Sequence, residues 1–257
     1  MLLDNFTGQS LENFEKPTLL YDNGMHTTYW LGYPEETAFR TNAYLIRDHN
    51  EAIVVDPGSS DNFDFIKKRI RQIIDPSNVN AIILCHQDPD VASSLPDWLE
   101  LNPDIKVITT HRTNVLLPHY TKKEFNAVLV DDTFRYTFSS GNRLRFVEAP
   151  FLHFPGAFAT YDTVSHFLFS GDIFAALDYD WKLVVDNFEE HIPQLDLFHK
   201  DYMASNKASA GFARKLESHT IDAILPQHGS IIRKNNVEEA LEYLKTLKCG
   251  LDLIYPD

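Results

Sequence analysis

Six residues in this chain have the types and spacing of metal ligands. His86, Asp88 and Asp90 alternate in His86-Gln87-Asp88-Pro89-Asp90, directly after the apolar run Ala81-Ile82-Ile83-Leu84. His153 lies in Leu152-His153-Phe154-Pro155-Gly156, Asp172 in Ser170-Gly171-Asp172, and His228 in Pro226-Gln227-His228-Gly229. Imidazole and carboxylate together suit zinc, iron or manganese better than calcium or magnesium. Three of the four junctions sit beside Gly or Pro, and small residues let backbone and metal approach closely. One histidine at a strand end is ordinarily structural. Four such junctions in this order are poorly explained by packing.

The pattern around these residues says how they are positioned. Residues 42–47 and 51–55 predict a β-hairpin turning at 48–50, and Asp56-Pro57-Gly58 closes it with a turn signature. Apolar spacing predicts a helix over 62–74, a buried strand at 81–84, a helix over 91–101 broken near Pro96, and a strand at 105–109. Residues 113–120 predict a helix or helical turn. Strands follow at 127–130, 133–138 and 143–148, then a turn at 160–162, a strand at 164–169 and a strand-end loop at 170–172. Residues 186–211 read as an acidic, surface-like stretch in which His191 and His199 have no role. A helix over 212–218, a buried strand at 221–226 and a closing helix over 237–247 complete the chain. The first forty residues, with Phe6, Tyr21, Tyr29, Trp30 and Tyr33, predict short strands and turns. His26 among them reads as a surface or internally satisfied histidine. Strands alternating with helices indicate an α/β fold, and strand ends on one edge of a sheet can converge on one crevice.

Composition bounds the function. The chain has 257 residues, 44% of them hydrophobic and 12% aromatic, as in a folded globular protein. Its formal charge is −14, with 37 acidic against 23 basic residues. That balance argues against nucleic acid or an anionic membrane as partner, since both need clustered Lys and Arg. No apolar run reaches bilayer length, and the N-terminus lacks a secretory pattern. Cys85 and Cys249 follow no disulfide or zinc-finger spacing, so a reduced, cytoplasmic protein is expected.

The order His-x-Asp-x-Asp, then His, then Asp, then His before Gly resembles the metallo-β-lactamase superfamily. The resemblance implies a four-layer αβ/βα sandwich (α/β, α+β) in a single domain over 1–257, with a binuclear metal site at one edge. Hydrolases of that superfamily carry His-x-His-x-Asp-His, and flavodiiron proteins carry His-x-Glu-x-Asp-His. The carboxylate at Asp88 is similar to the second pattern. Further motifs resemble the stand-alone oxygen-binding di-iron proteins, which are flavodiiron relatives without a flavodoxin domain. These are Cys85 to Val91, Leu117-Pro118-His119-Tyr120, Phe151 to Gly156, Leu168 to Asp172 and Phe198 to Lys207.

That resemblance implies one metal on His86, Asp88 and His153, a second on Asp90 and His228, and Asp172 bridging them. Val91 departs from the pattern, standing where both groups place a histidine, so the second metal has three protein ligands, one of them shared. His119 is a possible extra ligand from another loop. Tyr202 matches a family tyrosine near the metals, a hydrogen-bond donor to a bound oxygen species. The cofactor implied is a pair of non-haem irons with no flavin on this chain. Dioxygen is then the ligand, and a signalling or electron-donor protein the partner, with a homo-oligomer compatible. The output is oxygen or iron sensing, or slow flavodiiron-like reduction. The alternative is a binuclear hydrolase loaded with zinc or manganese.

Overall fold

Alternation along the strands sets the layering of the molecule. In the computed structural model, which describes residues 2–7, 9, 16–32 and 38–256, successive strand residues face different cores. Ile53 and Val55 face one apolar layer, Ala52 and Val54 another. Phe167 and Phe169 share the first layer, while Leu168 faces a third. Side chains on a strand point to opposite faces with period two, so near-continuous apolar runs require cover on both faces.

The strands β1 (Thr18–Asp22), β2 (His26–Gly32), β3 (Ala43–Asp48), β4 (Glu51–Val55), β5 (Ala81–Ile83), β6 (Lys106–Thr109) and β7 (Asn126–Leu129) form one sheet in chain order. A second sheet has the order β13-β12-β11-β10-β9-β8. Its strands are β8 (Arg135–Thr137), β9 (Arg143–Glu148), β10 (Phe158–Asp162), β11 (Phe167–Gly171), β12 (Ala223–Pro226) and β13 (Ile232–Arg233). Between the sheets lies an aromatic layer that includes Trp30, Tyr44, Phe146, Phe158, Phe167 and Phe169. Truncating one such ring to alanine costs about 3–5 kcal/mol.

Helices cover the outer faces. On the first sheet these are α1 (Phe63–Ile70), α2 (Pro89–Ala92) and α3 (Leu95–Leu101), and the single-turn α4 (His111–Asn114) follows β6. On the second they are α5 (Phe188–Tyr202), α6 (Asn206–Leu216) and α7 (Lys234–Thr246), followed by the short α8 (Leu251–Ile254). The fold is the expected four-layer sandwich. Strands β4 to β7 run parallel, as do β11 and β12. Parallel strands carry their carboxyl ends to one edge, and all four ligand-bearing junctions lie there.

The structure departs from the sequence expectations at several places. Residues 160–162 are not a turn but the end of β10, paired to β9. The supposed surface stretch 186–211 forms α5 and the start of α6, and its His199 has no exposed surface. Acidic residues there occupy the outer face of an amphipathic helix. The helix expected over 91–101 divides into α2 and α3, and α1 stops at Ile70. The short β13 carries no apolar run of its own length and escaped notice. Tyr33 lies outside the described residues.

Candidate metal centre

Each ligand-type residue is delivered by the end of a strand. His86 follows β5, and Asp88 and Asp90 flank Pro89 at the start of α2. His153 lies in the loop from β9 to β10. Asp172 follows β11, and His228 follows β12. Gly171 is required at its turn: φ is +58°, and a Cβ there would stand 2.7 Å from the Cys85 sulfur.

The six side chains converge in two groups that share Asp172. Asp172 Oδ2 lies 2.8 Å from His153 Nε2 and 3.2 Å from His86 Nε2. Asp88 Oδ2 lies 3.2 Å from His153 Nε2 and 3.7 Å from His86 Nε2. The other oxygen, Asp172 Oδ1, faces His228 Nε2 at 3.4 Å, and His228 Nε2 faces Asp90 Oδ2 at 3.1 Å. One atom each from His86, Asp88 and His153 lie within 4.8 Å of one another. So one carboxylate divides its two oxygens between two sets of donors.

Hydrogen bonding does not satisfy this cluster. His86 Nε2, His228 Nε2 and Asp172 Oδ1 are buried and lack a hydrogen-bond partner. An unpaired buried polar atom costs about 1–3 kcal/mol, so its persistence calls for an explanation such as an ion. Lone-pair donors of this kind, three imidazoles and three carboxylates, fit two divalent or trivalent cations.

Electrostatics fits the same use. Burial opposes charge on Asp172, yet the facing imidazoles win and hold its carboxyl well below the usual carboxylate range. Burial also opposes protonation of His153 and His228, but Asp172, with Asp88 or Asp90, pushes each up to about 10. His86 is raised against burial by Asp172 and its neighbours. In the metal-free chain, protons hold the places that cations would take.

Supporting contacts aim these side chains. His228 Nδ1–H donates to the Arg40 carbonyl at 2.9 Å, which turns Nε2 toward Asp172. Asn42, at the start of β3, donates its amide to the carbonyls of Pro226 and Gly229 at 3.0 and 2.8 Å, clamping the loop that carries His228. Asp56, with φ +49°, accepts the Cys85 N–H at 3.0 Å beside His86, and burial pushes its carboxyl up to about 6. His199 Nδ1–H donates to the Leu195 carbonyl, and its Nε2 accepts the Phe174 N–H at 2.9 Å, tying α5 to the loop after Asp172. Burial holds His199 down to about 4, so it is neutral. The sequence reading passed over these four. A polar residue at the mouth of a strand, as at Asn42 and Asp56, is the signal that was available.

The remaining candidates separate. Tyr202, at the end of α5, stacks on Phe198 at 4.6 Å and meets the His153 ring edge-on at 5.8 Å. Phe39 stacks on His228 at 3.9 Å, completing an aromatic slab beside the cluster. His119 is exposed on a turn after α4 and is not among the residues brought together. Val91 has no exposed surface and packs among the apolar residues under α3, so the core, not the site, claims its side chain.

Similar proteins share this fold. A solved structure described as a peroxy diiron species of the chemotaxis sensor ODP is 33% identical, with a TM-score of 0.83, covering 92% of this chain and 98% of that one. The apo state of the chemotaxis sensor ODP from T. denticola is 31% identical, with a TM-score of 0.81, covering 93% and 97%. Diflavin flavoprotein A 1 of Synechocystis sp. is 30% identical over 76% of this chain and 34% of its own length. The chain spans about a third to a half of the length of the curated relatives it matches. The family model described as ODP family beta lactamase matches residues 39–229, and the chain belongs to that family.

Proposed function

We propose that this protein is a non-haem di-iron protein that binds dioxygen, with a sensing output. The observation that carries this reading is the division of Asp172, whose two oxygens face two separate groups of ligand-type side chains, each with a buried imidazole nitrogen left unsatisfied. His86, Asp88 and His153 would hold one iron, Asp90 and His228 the other, with Asp172 shared. Iron supplies the change of oxidation state that reversible chemistry with dioxygen needs and that zinc lacks. Asp88 in place of an imidazole hardens the ligand set, which favours ferric iron over zinc.

The chain's own residues do the rest. Arg40 and Asn42 orient His228, and the Phe39–Phe198–Tyr202 slab shields one side of the imidazoles from water. Tyr202 lies edge-on to the His153 ring, and its hydroxyl would serve as a hydrogen-bond donor at that mouth. A sensing role is supported by the two solved neighbours above 30% identity, both states of a chemotaxis sensor. A signalling protein is then the partner, with an electron donor engaged only in slow reduction. Among the described residues no helix is long and apolar enough to cross a membrane, and Cys85 and Cys249 are both unpaired, which supports the cytoplasm.

The test is anaerobic purification with metal counting, followed by air and the visible spectrum. Two irons per chain and a new long-lived absorption band are expected. Tight zinc or manganese with no spectral response would overturn the reading in favour of the hydrolase.

A further inference from the structure

Val91 leaves the second ligand group without the extra imidazole, and Asp90 sits on α2, a helix of only four residues. Its carboxylate is steadied from below by Gln227, whose side chain has no exposed surface. Gln227 Nε2 donates to Asp90 Oδ2 at 3.3 Å and to the Asp90 carbonyl at 3.5 Å. The Cys85 thiol donates to Gln227 Oε1 at 3.9 Å, and Cys85 Sγ lies 3.1 Å from His86 Nδ1.

We propose that Cys85 and Gln227 form a one-way chain of hydrogen bonds from His86 to Asp90, making Gln227 the positioning residue for the second metal. This rests on the di-iron reading above. The direction follows from valence. His86 turns Nε2 into the ligand group, so Nδ1 carries the hydrogen and donates to sulfur. The thiol hydrogen has the Asp56 carboxyl and the Gln227 carbonyl oxygen as acceptors; in the relay it goes to Gln227, and the Gln227 amide hydrogens go to Asp90. The order is fixed at Gln227, whose Nε2 can only donate and whose Oε1 can only accept.

Little slack exists along this path. Cys85 is held through its N–H by Asp56, and Gly171 leaves room for the sulfur only because it lacks a Cβ. The Gln227 N–H donates to the Gly171 carbonyl at 2.8 Å, and its own carbonyl accepts the Asn42 N–H at 2.5 Å. The relay therefore joins a ligand of the first metal to a ligand of the second beneath the shared Asp172.

The experiment is an anaerobic titration of ferrous iron into the full chain and into Gln227→Leu, Cys85→Ala and Cys85→Ser, read by equilibrium uptake and by the Mössbauer spectrum. Loss of a partner to a metal ligand typically weakens metal binding about 10–100-fold. Gln227→Leu is expected to lose about that factor at the second iron while the first binds as in the parent. Cys85→Ala should weaken the second iron as well, although Cys85 touches no ligand of that iron, and Cys85→Ser should restore much of it. Uptake and spectra equal to the parent's in Gln227→Leu and Cys85→Ala overturn the relay alone. A parent chain that takes up no iron overturns the di-iron reading and the relay together. Should Gln227→Leu not fold, the Cys85 pair decides the matter.

Discussion

At each edge of the sandwich a histidine lies between carboxylates drawn from both sheets. On the edge away from the ligand cluster, His26 of β2 donates from both ring nitrogens, to Asp48 of β3 and Asp162 of β10, each at 2.8 Å. Asp48 also accepts from Asn142 at 2.7 Å and His49 at 3.1 Å, and Asp162 from Ser165 at 2.5 Å and the Val164 N–H at 3.0 Å. Both ring nitrogens and all four carboxylate oxygens of this trio have partners, and the group is closed. On the other edge, His86, His228 and Asp172 are as deeply buried but keep atoms that nothing satisfies. Composition alone does not distinguish the two sites. Satisfaction does: a complete set of hydrogen bonds marks a structural clamp, and an incomplete buried one marks a place for something else.

The ligand edge depends most on Asp172, and Asp172→Ala tests it. It should reduce iron from two per chain to less than one by metal analysis, with the fold retained by circular dichroism. Two irons in this variant would end the bridging assignment. His26→Leu tests the opposite edge. It strands two buried carboxylates and is expected to cost about 3–5 kcal/mol in urea unfolding, while folded protein still takes up two irons. If iron uptake falls in step with stability, the two edges are not independent.

The pH dependence separates the edges again. His153 and His228 stand at about 10 in the metal-free chain, against an unfolded value of about 6.5. A raised folded value stabilises fully below about pH 6.5 and is lost as pH rises through 10. Metal-free protein should therefore weaken from neutral pH toward 10, and ferrous iron added at pH 7 should release protons on a pH-stat. No proton release would place the metal elsewhere. His199, held at about 4, has the opposite sign: its contribution is complete above pH 6.5 and declines as pH falls toward 4.

Smaller effects follow. His199→Leu leaves the Phe174 amide unpaired and should cost about 1–3 kcal/mol, loosening the Asp172 loop. Tyr202→Phe, at a half-exposed position, should change stability by no more than about 0.5 kcal/mol but shorten the life of any oxygenated band. An unchanged decay rate returns Tyr202 to packing.

The sequence showed the ligand turns because they interrupt apolar runs: His86 after Ala81-Ile82-Ile83-Leu84 and His228 after Ile224-Leu225-Pro226 stand out against their neighbours. It hid the aiming groups, because Asn42 and Gln227 act across the two sheets and Asp56 across neighbouring strands, contacts at which a polar residue at a strand mouth only hints. His199 was hidden for another reason. Its helix presents charged residues to solvent, and one buried histidine among them looks like the rest until the packing is seen. His119 shows the reverse error, a histidine of suitable type that the backbone leaves outside.

The division of the ligands between the sheets has a consequence for how the molecule is built. The first sheet is drawn wholly from residues 18–129 and supplies His86, Asp88 and Asp90. The second is drawn wholly from residues 135–233 and supplies His153, Asp172 and His228. Neither half carries a complete site, so an ion that binds only their union adds its binding energy to their cohesion. Two separately made fragments, divided between β7 and β8, should reassemble at lower concentration with ferrous iron present than without it. Iron supply would then govern how firmly the halves of this protein are joined.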